Sequence, residues 1–149
     1  MASGPEIARG HVLAPGRGAG EAFVTDPVSF WGGVSAENGR IIDVHHPGHG
    51  RSVAGAVLVM PVGRGSSSAS AVLAETLRLG VGPAAIVLAS TDVILAAGSV
   101  VARELYGIEC PIVELDTTSF DAVAACAGAR LDVDASDATA VVRALHVAL

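Results

Sequence analysis

Ala56-Val57-Leu58-Val59-Met60 runs into Pro61-Val62-Gly63-Arg64-Gly65-Ser66-Ser67-Ser68-Ala69-Ser70 and then into Ala71-Val72-Leu73-Ala74-Glu75-Thr76-Leu77-Arg78-Leu79. The first run is apolar and β-branched enough for a buried strand, and the last has helical spacing. Glycines 63 and 65 permit a sharp turn and close backbone approach. Serines at a helix start can cap it, and the free N–H groups there attract anions. Arg64 adds a planar fork of donors suited to carboxylate or phosphate. A cap needs no guanidinium between two glycines. The stretch therefore reads as an anion-handling strand–turn–helix with a hydroxyl at its centre.

The same alternation continues outward. Gly80-Val81-Gly82-Pro83 is a stop signal, Ala84–Leu88 a buried strand, and Asp92 caps a helix to about Leu105, with Gly107 near its end. Gly98 weakens that helix. Pro111–Leu115 is a further strand. Strand–helix–strand–helix–strand over 56–115 implies parallel pairing with right-handed crossovers. Upstream, short strands are expected at Val12-Leu13 and Ala22–Val24, with a turn at Pro15-Gly16. Asn38-Gly39 is a turn, and His45–Gly50 a loop. The first third thus reads as β structure. Downstream, Phe120–Ala127 suggests a short helix and Leu131–Val133 a strand, while 138–149 fits either state. The expected fold class is α/β: a β-rich N-terminal part followed by a βαβαβ core, as one domain over 1–149 with residues 1–6 loose.

Composition narrows the chemistry. The chain has 149 residues, 51% of them hydrophobic and 3% aromatic, so Ala, Val, Leu and Ile must fill the core. The net charge of −6 argues against nucleic acid or an anionic membrane as partner. No apolar run reaches the ~18 residues of a membrane span. Met1–Glu6 lacks a secretion-signal pattern, so a cytoplasmic protein is expected. All nine basic residues are arginine, which removes Schiff-base lysine chemistry and the phosphate-loop lysine. Cys110 and Cys126 form no CxxC pair and read as structural, buried thiols. An iron–sulfur cluster needs about three or four cysteines, so this chain cannot hold one unaided.

Rival motifs fall short. Gly65-Ser66-Ser67-Ser68-Ala69 approaches a nucleophile elbow, but Ala replaces the last glycine and only His146 follows. Gly16–Gly20 precedes no helix pattern. His45, His46 and His49 surround Pro47 and Gly48, which breaks regular ligand spacing, so a solvated or substrate-facing loop is expected and no metal. Trp31 suits core packing or a pocket or interface equally. Taken alone, the chain has an anion site and a hydroxyl but no complete catalytic set, which points to a partner.

The sequence resembles the small subunit, or swivel domain, of the aconitase X family of hydro-lyases. The resemblance rests on Pro27-Val28-Ser29-Phe30-Trp31-Gly32-Gly33-Val34, Gly39–Asp43 with His46-Pro47 and Gly50, Leu58–Pro61, Gly63–Ser67, Pro83–Ile86 and Asp92–Gly98. It implies a swivelling β/β/α domain that closes over a large subunit carrying an iron–sulfur cluster, the Lewis acid for the leaving hydroxyl. It also implies Ser66 as the catalytic residue. Substrate contacts are expected from Arg64, Gly65, Ser67, Ser29, Trp31 and His46. Ala69 stands where members often carry glycine. Two small carboxylate substrates go with the family, cis-3-hydroxy-L-proline and phosphomevalonate. The arginine- and alanine-rich composition leans to the first, while Arg17, Arg40 and Arg51 could serve a phosphate. A non-catalytic anion-binding or regulatory module of the same fold is the alternative of another class.

Overall fold

The computed structural model describes residues 4–145. Among these residues, seven strands close into a barrel in the order β1-β5-β4-β3-β2-β6-β7. They are β1 (Glu6–Ala14), β2 (Gly16–Val24), β3 (Val57–Val59), β4 (Ala85–Leu88), β5 (Ile112–Glu114), β6 (Arg130–Ala135) and β7 (Thr139–Ala144). Four helical elements accompany them: α1 (Phe30–Gly33), α2 (Ala69–Arg78), α3 (Val93–Tyr106) and α4 (Thr117–Ala124). β2, β3, β4 and β5 run parallel to one another, and β1, β6 and β7 pair antiparallel.

Period-two alternation in the short parallel strands divides the core into two layers. Val57 and Val59, Ala85 and Val87, and Val113 join Ala8, Ala22, Leu131, Val133 and Val142, so that every strand contributes to one cluster inside the barrel. Ala and Val are small enough to fill that narrow lumen. Leu58, Met60, Ile86, Leu88 and Ile112 point the other way, toward Leu73 and Leu77 of α2 and Leu95 and Ala102 of α3. These strands are buried on both faces, which explains their unbroken apolar runs.

Helix ends follow the sequence signals. Asp92 caps α3 by accepting from the Ile94 and Leu95 amides at 3.0 and 2.9 Å. Gly107 closes it in the left-handed conformation. Gly98, read as a weak point, lies so close to the Ser70 carbonyl of α2 that no Cβ would fit there. It is the price of close α2–α3 packing.

Several expectations change. Within the end expected to be loose, Glu6 belongs to β1 and the Pro5 carbonyl accepts from the Ala144 amide; residues 1–3 lie outside the described residues. β1 and β2 are nine-residue strands rather than short pieces. They do not pair with each other, so Pro15-Gly16 is a corner and not a hairpin turn. Residues 25–56 form a layer over the barrel with isolated bridges only, Ser29 to Arg64, Val34 to Ile41 and Arg40 to Ser52. α4 starts at Thr117 behind its cap Asp116, and the ambiguous tail is strand β7 to Ala144. His146 lies outside the described residues. Cys110 is buried as expected, whereas Cys126 is only half-buried.

Candidate active site

The site lies beyond the carboxyl ends of the parallel strands, the end at which parallel α/β sheets, open or closed, gather their ligands. Asp26–Ser29 leaves β2, Gly63–Ser68 leaves β3 and Asp92 leaves β4. Backbone bonds knit these exits: Thr25 N–H donates to Val59 O at 3.0 Å and Ala89 N–H to Pro61 O at 2.9 Å.

Two neighbours fix the Gly63-Arg64-Gly65 turn. The Asp92 carboxylate occupies the space a Cβ on Gly63 would need. Ser29 Oγ does the same at Gly65, whose φ of +110° also favours glycine. Ser29 pairs with Arg64 in a parallel bridge, and its hydroxyl accepts from Trp31 N–H at 3.1 Å. The turn is therefore held from both sides, and the Ser66 side chain behind it is left exposed.

Ser66 Oγ accepts from the Ser68 amide at 3.2 Å, just ahead of α2. Ser68 occupies the N-cap position but makes no side-chain cap bond. Ser70 donates to the Ser67 carbonyl at 3.0 Å. The serines thus do not behave as a simple cap. A helix start and an amide donor are surroundings in which negative charge on an oxygen is stabilised.

Two concavities meet at Arg64. A small cleft of about 70 Å³ is lined by Gly63, Arg64, Gly65, Ser66, Ala69 and Asp92, together with Ile94 and Leu95. A larger pocket of about 550 Å³ is lined by Asp26, Pro27, Asp43, His45, His46, Pro47, Val62 and Arg64. The Arg64 guanidinium has no ion-pair partner among the described residues, and it is exposed. The other arginines weighed for a phosphate are engaged elsewhere. Arg17 reaches Asp132 and Asp134, Arg40 donates to the Gly50 carbonyl at 2.7 Å, and Arg51 stacks 4.0 Å above the Phe23 ring.

The structure thus brings Ser29, Arg64, Gly65 and Ser66 together, with Ser67 exposed beside them and His46 across the larger pocket. Trp31 is not in the core. It is 57% exposed and lines a neighbouring groove with Ile42 and Val72. Sequence reasoning missed Asp26 and Asp43 as pocket residues. It read Asp92 as a helix cap, and nothing in the chain signals that the same carboxylate also packs over Gly63. Among the described residues, no group of three or more His, Cys, Asp or Glu is arranged to hold a metal. Nor is any helix long and apolar enough to cross a membrane.

The fold and the turn together define a closed α/β barrel domain that presents an exposed serine beyond the ends of its parallel strands. The aconitase X swivel domain matches residues 7–142, and the chain belongs to that family. A cis-3-hydroxy-L-proline dehydratase of Pseudomonas aeruginosa is 45% identical over 120 residues, 80% of this chain and 20% of that protein. A phosphomevalonate dehydratase small subunit of Methanothermobacter thermautotrophicus is 51% identical over 53 residues, 35% of this chain and 40% of that one. The chain therefore spans a fifth and two fifths of these relatives' lengths. The crystal structure of Thermococcus kodakaraensis aconitase X (holo-form) superposes with a TM-score of 0.77 at 30% identity, covering 96% of this chain and all of that one.

Proposed function

We propose that this chain is the small, swivelling subunit of a cytoplasmic aconitase X type hydro-lyase acting on cis-3-hydroxy-L-proline, with Ser66 as its catalytic base. The observation that carries the reading is the exposed Ser66 hydroxyl, beside an Arg64 that has no ion-pair partner among the described residues, on a turn whose positions 63 and 65 leave no room for a Cβ. In this reading Arg64 holds the substrate carboxylate. The Ser66 alkoxide, stabilised by the Ser68 amide and the start of α2, takes the proton from the carbon bearing that carboxylate. The electron pair forms the double bond as the neighbouring hydroxyl departs. Ser67 and the Gly65 amide hold substrate oxygen atoms.

Pocket charge supports the amino-acid substrate. A guanidinium without an ion-pair partner among the described residues shares the pocket with Asp26 and Asp43, which suits a zwitterion. A phosphate dianion there would meet one cation and two like charges. The identity to a phosphomevalonate dehydratase small subunit keeps that substrate as the second reading.

The described residues do not fit an iron–sulfur cluster, since Cys110 is sealed in the core and no ligand group exists. The cluster that the family implies is assigned to the large-subunit partner. Trp31, Ile42, Val44 and Val62 are exposed apolar side chains around the site, and they supply a rim against which that partner can seat. Two free cysteines suit the reducing cytoplasm.

The test is to express the chain with a candidate aconitase X large subunit from the same organism and assay water loss from both compounds. Turnover of the hydroxyproline alone is expected. Turnover of phosphomevalonate alone would establish the second reading, and a stable lone chain that binds a small anion without a partner would favour the non-catalytic module.

A further inference from the structure

His46 is 6% exposed, and both its ring nitrogens are engaged by backbone. Nδ1 lies 2.9 Å from the Gly48 amide, and Nε2 lies 2.9 Å from the Asp26 carbonyl. An amide can only donate and a carbonyl can only accept. Nδ1 therefore carries no proton, and the ring proton sits on Nε2. The ring also packs so closely on Gly48 that an added Cβ would stand 3.2 Å from Nδ1. No ring nitrogen is left for a substrate.

The two backbone groups belong to two segments that border the larger pocket, Asp26-Pro27 lining it from one and Asp43 to Pro47, just before Gly48, from the other. Gly48 lies in the 43–50 loop, tied by Asp43 to His45 and by Ile41 to Gly50. Asp26 begins the segment that ends at Ser29, which pairs with Arg64 and covers Gly65. We propose that His46 is a positioning residue: its imidazole pins the Asp26–Ser29 segment to the 43–50 loop, and through Ser29 it sets the Arg64–Ser66 turn. The inference rests on the dehydratase reading for its kinetics, and not for its geometry.

The experiment has two arms. In the first, long-range proton–nitrogen NMR of the full chain reads the tautomer without any activity. A single Nε2–H tautomer is expected at neutral pH; an Nδ1–H form or an averaged pair of tautomers would overturn the assignment. In the second, His46→Gln, which keeps a donor for the Asp26 carbonyl, is compared with His46→Asn, which keeps only an acceptor for Gly48. Both are assayed as the two-subunit enzyme, with melting temperature and co-purification as folding controls. His46→Asn is expected to lose about 10²-fold in kcat, the cost of a small misplacement of reacting groups. His46→Gln is expected to stay within about tenfold of wild type and to keep both limbs of its pH–rate profile. Equal loss in the two variants, or a pH limb missing from His46→Gln, would overturn the positioning role. If the wild-type pair turns over neither compound, the dehydratase reading fails while the tautomer result still stands or falls alone.

Discussion

The Ser29 hydroxyl lies directly over the α-carbon of Gly65, in the space that any side chain at 65 would need. That contact joins the exit of β2 to the turn after β3 and decides where Ser66 stands. Gly65→Ala meets both this obstruction and the +110° φ. A cost of about 1–3 kcal/mol is expected, read by thermal denaturation, together with loss of turnover. Adding Ser29→Gly should recover the steric part and leave the φ part. A Gly65→Ala protein as stable and active as wild type would show that the turn is not constrained as described.

Asp92 couples α3 to the same turn. Removing its carboxylate in Asp92→Ala frees the Ile94 and Leu95 amides, which should cost about 0.5–2 kcal/mol in chemical denaturation. Asp92→Asn keeps an acceptor for those amides and should cost less.

Arg64 lines both concavities and is expected to act on binding. Arg64→Ala should raise KM by roughly 10- to 100-fold, the equivalent of a charged hydrogen bond worth about 1.5–3 kcal/mol. Arg64→Lys should not restore it, because the planar two-pronged geometry is lost. An unchanged KM in steady-state assays would remove Arg64 from the substrate site.

The two thiols should differ. Burial pushes the Cys110 thiol up to about 12, whereas Cys126 is half-buried. A native-state thiol reagent is expected to label Cys126 and to reach Cys110 only on unfolding. The folded value of Cys110 lies above the unfolded value of about 8.5. Its contribution to stability is therefore intact below that value and fades as pH rises toward 12. Denaturation midpoints should fall through this window, and Cys110→Ala should flatten the slope.

The middle of the chain was legible because its signals are local. Asp92 and Gly107 frame α3, and each strand of 56–115 is a short apolar run between turns. The barrel was not legible, for physical reasons. Glycines 10, 18 and 20 interrupt the apolar alternation of β1 and β2, yet each faces a carbonyl too close for a Cβ: Glu114, Ala84 and Gly55 respectively. Residues that read as turn formers are thus there for tight strand packing. Closure also depends on β1 meeting β5 and β7, pairings distant in sequence. The site was half visible: the Gly-Arg-Gly-Ser turn announces itself, but Asp26, Asp43 and the locked imidazole of His46 converge only in three dimensions.

The most direct test concerns the hydroxyl itself. Ser66→Ala, made in the two-subunit enzyme, removes one exposed oxygen and hands the exposed Ser68 amide to water, so the melting temperature should fall only slightly and co-purification should be unchanged. Turnover of cis-3-hydroxy-L-proline is expected to drop by about 10²–10⁴-fold, the range for loss of a positioned acid–base group. A variant that assembles normally and turns over near the wild-type rate would contradict the role given to Ser66.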